Sequence, residues 1–327
     1  MPRLLLVALI AVVAALVAGC GGDDQTGSPS GDGGDSLVSD AGPQHVHGLG
    51  INPSDNSLYI ATHSWLWRAP AGQPKAKRVA GIYHDLMGFT VVGPNQFLAS
   101  GHPDARHDLP PQLGLQRSTD AGRSWKTVSL LGKADLHVLR AAGERVYGVD
   151  SGTGAFLTSA DGGRSWQQQT PPARVFDLAI APGDADRVVA ATERGLFGST
   201  DTGRTWRPLR DDVAGLLAWP NERALYLVDA DGNVLRSPDA GREFKRVGTV
   251  GAQPEAFAAN GARELYAAVH GGQVVMSGDG GANWRTRSTP WRRQLNPRGD
   301  PDEPSPHERR AHRRGDARLH HQLLGLP

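Results

Sequence analysis

Cysteine is almost absent: the 327-residue chain has one, Cys20. A lone cysteine excludes an internal disulfide framework and any multi-cysteine zinc site. Lysine is also scarce, and the basic residues are nearly all arginine, a bias we read as that of a GC-rich genome. The 35 basic side chains are balanced by 34 acidic ones, leaving a net charge of +1. Bulk electrostatics therefore give no reason to expect a nucleic-acid partner. Aromatics are only 6% of the chain, and the body shows no helical period of any length, which argues against a helix bundle. Glycine, by contrast, is abundant at 42 residues. Without a G-X-Y period, that glycine points to many tight turns and not to collagen.

The first twenty residues, MPRLLLVALIAVVAALVAGC, carry one early charge, Arg3, and then an apolar run from Leu4 to Ala18. The run is short and terminal, with the form of a signal peptide. Leu16 to Cys20 (LVAGC) resembles a bacterial lipobox. That resemblance implies lipidation of Cys20, a membrane partner reached through the lipid, and an extracytoplasmic location on the cell membrane. Residues 21–44 read as a flexible Gly/Asp/Ser linker, and residues 21–36 contain no apolar side chain with which to fold. A tether of that length reaches roughly 20–24 Å.

The body repeats. STDAGRSW, SADGGRSW, STDTGRTW, SPDAGREF and SGDGGANW share the pattern S-x-D-x-G-x-x-(W/F). Their aspartates are Asp120, Asp161, Asp201, Asp239 and Asp279, about 40 residues apart. Asp beside Gly is turn chemistry: the carboxylate accepts nearby backbone amides, and glycine adopts positive φ. Short β-rich stretches precede each turn, such as Arg187–Thr192 and Leu265–Val269. Four short strands per 40-residue unit, with the motif at the turn between the third and fourth, is the pattern of a β-propeller blade. Two earlier units open at His47 and Leu86, so the fold expected over about residues 45–290 is all-β, a propeller of six blades. A seventh is conceivable if flanking segments add strands.

These turns resemble the BNR or Asp-box repeat of bacterial neuraminidases and sortilin-type receptors. The opening HVHGLGINP is similar to that of bacterial lipoproteins labelled glycosyl hydrolases or exo-sialidases. The resemblance implies a propeller in which Asp120, Asp161, Asp201, Asp239 and Asp279 are structural, and it says little about chemistry.

Topology selects a face. If the Asp turns join the third and fourth strands, then the starts of first strands and the ends of second strands lie on the opposite rim. All eight body histidines fall on that rim, His107 in the long loop from Gly101 to Leu113 and the others at such strand ends: His45, His47, His63, His84, His102, His137 and His270. His-x-His on a strand would put two rings on one side, and imidazoles beside carboxylates suit zinc, copper, iron or nickel. His45, His47, His63 and His137 are the candidate ligands for a transition metal. A polar channel mouth bonded to water or carbonyls is the plainer reading of the same histidines. A third reading is a small-molecule, glycan or protein ligand bound by His84, His102, His107, Arg106, Arg174, Arg194 and His270.

The sialidase resemblance implies an arginine triad, a tyrosine nucleophile and carboxylate acid/base groups. Here the F/Y-R-I-P motif is absent. Tyr59, Tyr147, Tyr226 and Tyr266 share one repeat column and read as core, leaving Tyr83 as the tyrosine on the candidate rim. Asp85, Asp135 and Glu193 complete the catalytic candidates, and Arg174, Arg194 and Arg210 are the arginines from which a triad could be drawn. Trp65 and Trp67 stand where the first unit lacks its turn motif, one expected in the core and the other at the surface.

The ending, residues 291–327, departs from the pattern. From residue 292 on it carries eight Arg, five acidic residues and four His, and reads as a disordered basic tail or an out-of-frame ending. The combined expectation is a monomeric, membrane-tethered propeller acting as a binding or assembly module through its histidine-rich face. The alternative is a sialidase-like glycoside hydrolase.

Overall fold

The computed structural model describes Pro43, residues 45–80 and residues 84–289. The expected signal peptide, linker and tail, along with Cys20 and Tyr83, lie outside the described residues.

Twenty-four strands form six four-stranded antiparallel sheets, each built from four consecutive strands paired in chain order. The first strand of each blade is innermost: Val46–Ile51, Asp85–Gly93, Leu136–Ala142, Val175–Ala181, Leu216–Asn221 and Pro254–Asn260. Each of these neighbours the next, and the last neighbours the first, closing a ring of six blades.

A single blade cannot bury both faces of its sheet, so the core is distributed between blades. Six apolar layers result, one in each of the six crevices. Tyr59 and Ala61 of blade 1 meet Phe89 and Phe97 of blade 2. Leu115 meets Leu136 and Val146 across the second crevice, and Phe156 meets Leu178 across the third. The last layer packs Ile60 and Trp67 of blade 1 against Tyr266 and Met276 of blade 6. Tyr59, Tyr147, Tyr226 and Tyr266 are all buried, as their shared column predicts. The expectation for Trp65 and Trp67 is corrected: both are buried. The Trp65 indole donates to the Val79 carbonyl at 2.7 Å, and the Arg78 guanidinium lies 4.5 Å over the Trp67 ring. Blade 1 has no S-x-D-x-G turn; Trp65 packs in the layer towards blade 2 and Trp67 in the layer towards blade 6.

The ring closes without a shared strand. Arg287 of the last strand donates to the carbonyls of Ala69, Pro70 and Gln73 in blade 1. The Ser288 hydroxyl donates to Pro74 at 2.8 Å.

All five S-x-D-x-G segments join third and fourth strands and share one hydrogen-bond pattern. In Ser199–Gly203, the Ser199 hydroxyl donates to Asp201 Oδ1 (2.8 Å) and accepts the Gly203 amide (2.8 Å). Asp201 then accepts the amide and hydroxyl of Thr205, at 2.9 and 2.6 Å. These turns lean on the turns between first and second strands of their own blades: Gly162 N–H to the Glu144 carbonyl, and Gly280 N–H to the Arg263 carbonyl. The two turn types therefore share a rim. On the other rim, the ends of second strands bond the approaches to first strands, as in Ser151 N–H to Asp135 and Glu193 N–H to Arg174.

Candidate functional site: an imidazole and carboxylate rim

A cavity of about 620 Å³ runs down the ring axis, lined by the innermost strands. Its mouth is shaped by one recurring irregularity. Val46 pairs with Thr62 and Gly48 with Ala61, leaving His47 as an extra residue. The same bulge leaves out Met87 in blade 2, His137 in blade 3, Phe176 in blade 4 and Glu255 in blade 6. A bulge bends the strand locally and re-aims one side chain, and all five of these residues line the cavity.

The predicted alternation of His45 and His47 does not apply. His45 precedes the strand with a φ of 51°, and His47 sits on the bulge. Both rings nonetheless meet His63, with centroids 5.5 and 4.3 Å away.

Two trios of ligand-type atoms emerge, each with its atoms mutually within 4.8 Å: His47, His63 and Asp85, and His102, Asp135 and His137. The first spans blades 1 and 2. There His63 Nδ1 lies 2.8 Å from Asp85 Oδ2. His47 Nε2 and Asp85 Oδ1 are buried with no hydrogen-bond partner. Burial, reinforced by the neighbouring His63, lowers the His47 pKa to about 4, so this imidazole is neutral near pH 7 and keeps a lone pair. His137 also acts on it, placing the two trios within electrostatic reach of each other.

The second trio spans blades 2 and 3. Asp135 Oδ2 lies 2.6 Å from His137 Nε2 and 3.2 Å from His102 Nε2. Its side chain is only 6% exposed, and its Oδ1 is buried without a partner. The carboxyl is held below its usual pKa: burial opposes ionisation, but hydrogen bonds from His137 and Ser151 outweigh it. His102 Nδ1 lies 3.0 Å from the Pro111 carbonyl, which can only accept. Nδ1 therefore carries the hydrogen, and Nε2 faces the carboxylate. That contact is repulsive unless Nε2 is also protonated or a cation sits between the two groups. An imidazole whose far nitrogen donates to a carbonyl is also how metal-binding histidines are commonly oriented.

The other candidates are dispersed. His84 accepts the Asp104 amide at 2.9 Å and stands edge-on to Trp65 and His107. Arg106 pairs with Asp104, which pulls that carboxyl down to about 2. Arg174 lies over Phe176, and Glu193 and Arg194 are exposed in blade 4. Arg210 is paired with Asp212. His270 lies 3.3 Å from Glu255. Asp85 and Asp135, read from the sequence as acid/base candidates, here belong to the imidazole trios. Their role could have been found from the repeat, since His63 and His102 share one column and Asp85 and Asp135 another.

No family model matches the chain. A dispase autolysis-inducing protein from Streptomyces mobaraensis is 33% identical over 153 residues, covering 44% of this chain and 41% of that protein. Among solved structures, a Niastella koreensis GH74 enzyme superposes with a TM-score of 0.56 at 15% identity, over 76% of this chain and 46% of that one. A GH74 xyloglucanase from Xanthomonas campestris gives 0.53 at 17% identity, over 76% and 46%. The chain thus spans less than half the length of these proteins. At such identities the structural likeness speaks for the propeller fold alone.

Proposed function

We propose that this protein is a membrane-tethered, extracytoplasmic β-propeller that acts as a binding module, holding a transition-metal ion on the rim opposite its S-x-D-x-G turns. One observation carries the reading: Asp135, almost fully buried, presents one oxygen to two imidazole nitrogens while its other oxygen has no partner. A bound cation would relieve both the unmet oxygen and the opposed His102 lone pair. The donor set, neutral imidazole with carboxylate, suits zinc, copper, nickel or iron better than calcium or magnesium. Tethering rests on the lipobox-like LVAGC ending at Cys20.

The glycoside hydrolase alternative has less support. Asp85 and Asp135 are engaged by imidazoles, and Glu193 stands apart in blade 4. The test uses the detergent-solubilised full chain, stripped with chelator and titrated with Zn²⁺ in a calorimeter. Saturable binding lost in His137→Ala supports the reading. No binding, together with hydrolysis of sialosides or xyloglucan by the stripped protein, would overturn it.

A further inference from the structure

The two trios are related by the blade repeat, and this bears on how many ions the rim holds. His63 follows the second strand of blade 1 and His102 ends that of blade 2, while Asp85 opens the first strand of blade 2 and Asp135 immediately precedes that of blade 3. Each crevice therefore contains the same pair: a histidine from one blade facing an aspartate from the next, 2.8 Å apart in the first crevice and 3.2 Å in the second. The third member differs. It is the bulged His47 from the blade behind in the first crevice, and the bulged His137 from the blade ahead in the second. The two sets share no residue.

Rim carboxylates elsewhere already have partners. In blade 3 the register position of His63 and His102 is taken by Ser151, whose hydroxyl donates to Asp135 Oδ2 at 2.8 Å, and the preceding Asp150 accepts the Asp135 amide and the Thr153 amide and hydroxyl. At the seam between blades 6 and 1, Glu255 gives one oxygen to the Val46 amide and the other to His270. Among the described residues, the buried histidine and carboxylate atoms without partners are His47 Nε2, Asp85 Oδ1 and Asp135 Oδ1, all within the two trios.

We infer that the rim is a two-ion site, with one transition-metal ion in the crevice between blades 1 and 2 and a second in the crevice between blades 2 and 3. This rests on the metal-binding reading and adds a stoichiometry to it. Each ion would take two imidazole nitrogens and one carboxylate oxygen, leaving an open coordination position. Such an ion requires donors spaced by about 3.3 Å around a centre about 2.0–2.2 Å from each. The ligand-type atoms of each trio lie within 4.8 Å of one another, near that spacing.

The experiment titrates chelator-stripped full chain in detergent with Zn²⁺, and separately measures bound zinc per chain by mass spectrometry after desalting. The parent protein should hold two equivalents. His63→Ala with Asp85→Asn should remove one and spare the other, and His102→Ala with His137→Ala should do the converse. Near-ultraviolet circular dichroism would establish that each variant is folded, and the parent stoichiometry stands as a readout even where a variant fails to fold. A single equivalent, whether lost in one variant or in both, would overturn the two-ion inference while leaving metal binding intact. No bound zinc in the parent would overturn both.

Discussion

The Glu255 carboxylate of blade 6 accepts the Val46 amide of blade 1 at 2.9 Å, across 209 residues of sequence. A propeller must fasten its last blade to its first, and the Arg287 and Ser288 contacts to the carbonyls of residues 69–74 and the apolar layer between blades 1 and 6 hold the same seam. Glu255 reaches the seam because it sits on a bulge at the start of its strand. Val46 is buried, so truncating the carboxylate strands its amide. Glu255→Ala should lower stability by about 1–3 kcal/mol, read as a shift in urea midpoint, and Glu255→Gln should recover most of the loss because its amide oxygen still accepts. Equal losses in both variants would mean that the seam does not depend on this contact.

Asp177 does the equivalent work inside the ring. Fully buried in blade 4, it pairs with Arg140 of blade 3 and accepts the Leu217 amide of blade 5 at 2.8 Å. Burial pushes its carboxyl pKa up, against Arg140 and two backbone amides that pull it down. A neutral replacement leaves the Arg140 guanidinium without its counter-charge beside the channel. Asp177→Ala should cost about 3–5 kcal/mol, the usual penalty for breaking one side of a buried pair. The double variant with Arg140→Met should be more stable than Asp177→Ala alone, since the orphaned charge is then gone. A double variant no better than the single would show that the backbone amides carry the effect.

The S-x-D-x-G turns make the fold acid-sensitive. Hydrogen bonds from the Thr205 hydroxyl and amide bring the Asp201 pKa down to about 2, and at Asp120 those from Ser124 outweigh the opposing effect of burial and also give about 2. Asp161 and Asp279 are lowered in the same way by Ser165 and Asn283. An unfolded aspartate titrates near 3.9, so each lowered carboxyl contributes stability that is complete above that pH and is lost as the pH falls towards 2. Unfolding midpoints of the parent and of Asp201→Asn should therefore differ most near pH 5–6, and the gap should narrow below pH 4 and close only as the pH falls through about 2. A gap that stayed constant with pH would remove Asp201 ionisation as its source.

Sequence patterns carried the architecture further than the site. The repeat column showed Ser199, Asp201 and Gly203 to be one turn, because every atom of that turn lies within a few residues. It also placed the ends of second strands, hence His63 and His102, on the opposite rim. The bulges at His47 and His137 were not legible, because a bulge is a property of two strands in register and not of one. Alternation along a single strand therefore put His45 with His47 for a reason the structure does not support. Asp85 and Asp135 were visible as rim carboxylates, but His63 and His102 reach them from the preceding blades, a pairing that the spacing along one strand does not encode and that only alignment of the repeat columns could have suggested. Trp65 and Trp67 are likewise both buried because they enter the apolar layers on either side of blade 1, against blades 2 and 6, a packing between blades that the repeat does not write out.

Gly88 links the fold to the rim. A Cβ built on it would stand 2.1 Å from the Leu136 carbonyl oxygen of the next blade. The neighbour is backbone, so relief requires the innermost strands of blades 2 and 3 to separate. Leu136 lies between Asp135 and His137, and its amide accepts no slack either: it donates to the Ser100 hydroxyl of blade 2 at 2.9 Å. Gly88→Ala should lower stability by about 1–3 kcal/mol, the range for overpacking a close contact. It should also weaken zinc binding by the His102, Asp135 and His137 set more than by the His47, His63 and Asp85 set. Gly278→Ala is the matched control, since its Cβ would meet nothing within 4 Å, and it should leave both stability and zinc binding unchanged. Calorimetric titration of the two variants with Zn²⁺, alongside thermal unfolding, would check both halves of the prediction. A Gly88→Ala protein with the parent's stability and zinc isotherm would show that the crevice tolerates a methyl group and that the spacing of blades 2 and 3 does not set the second trio.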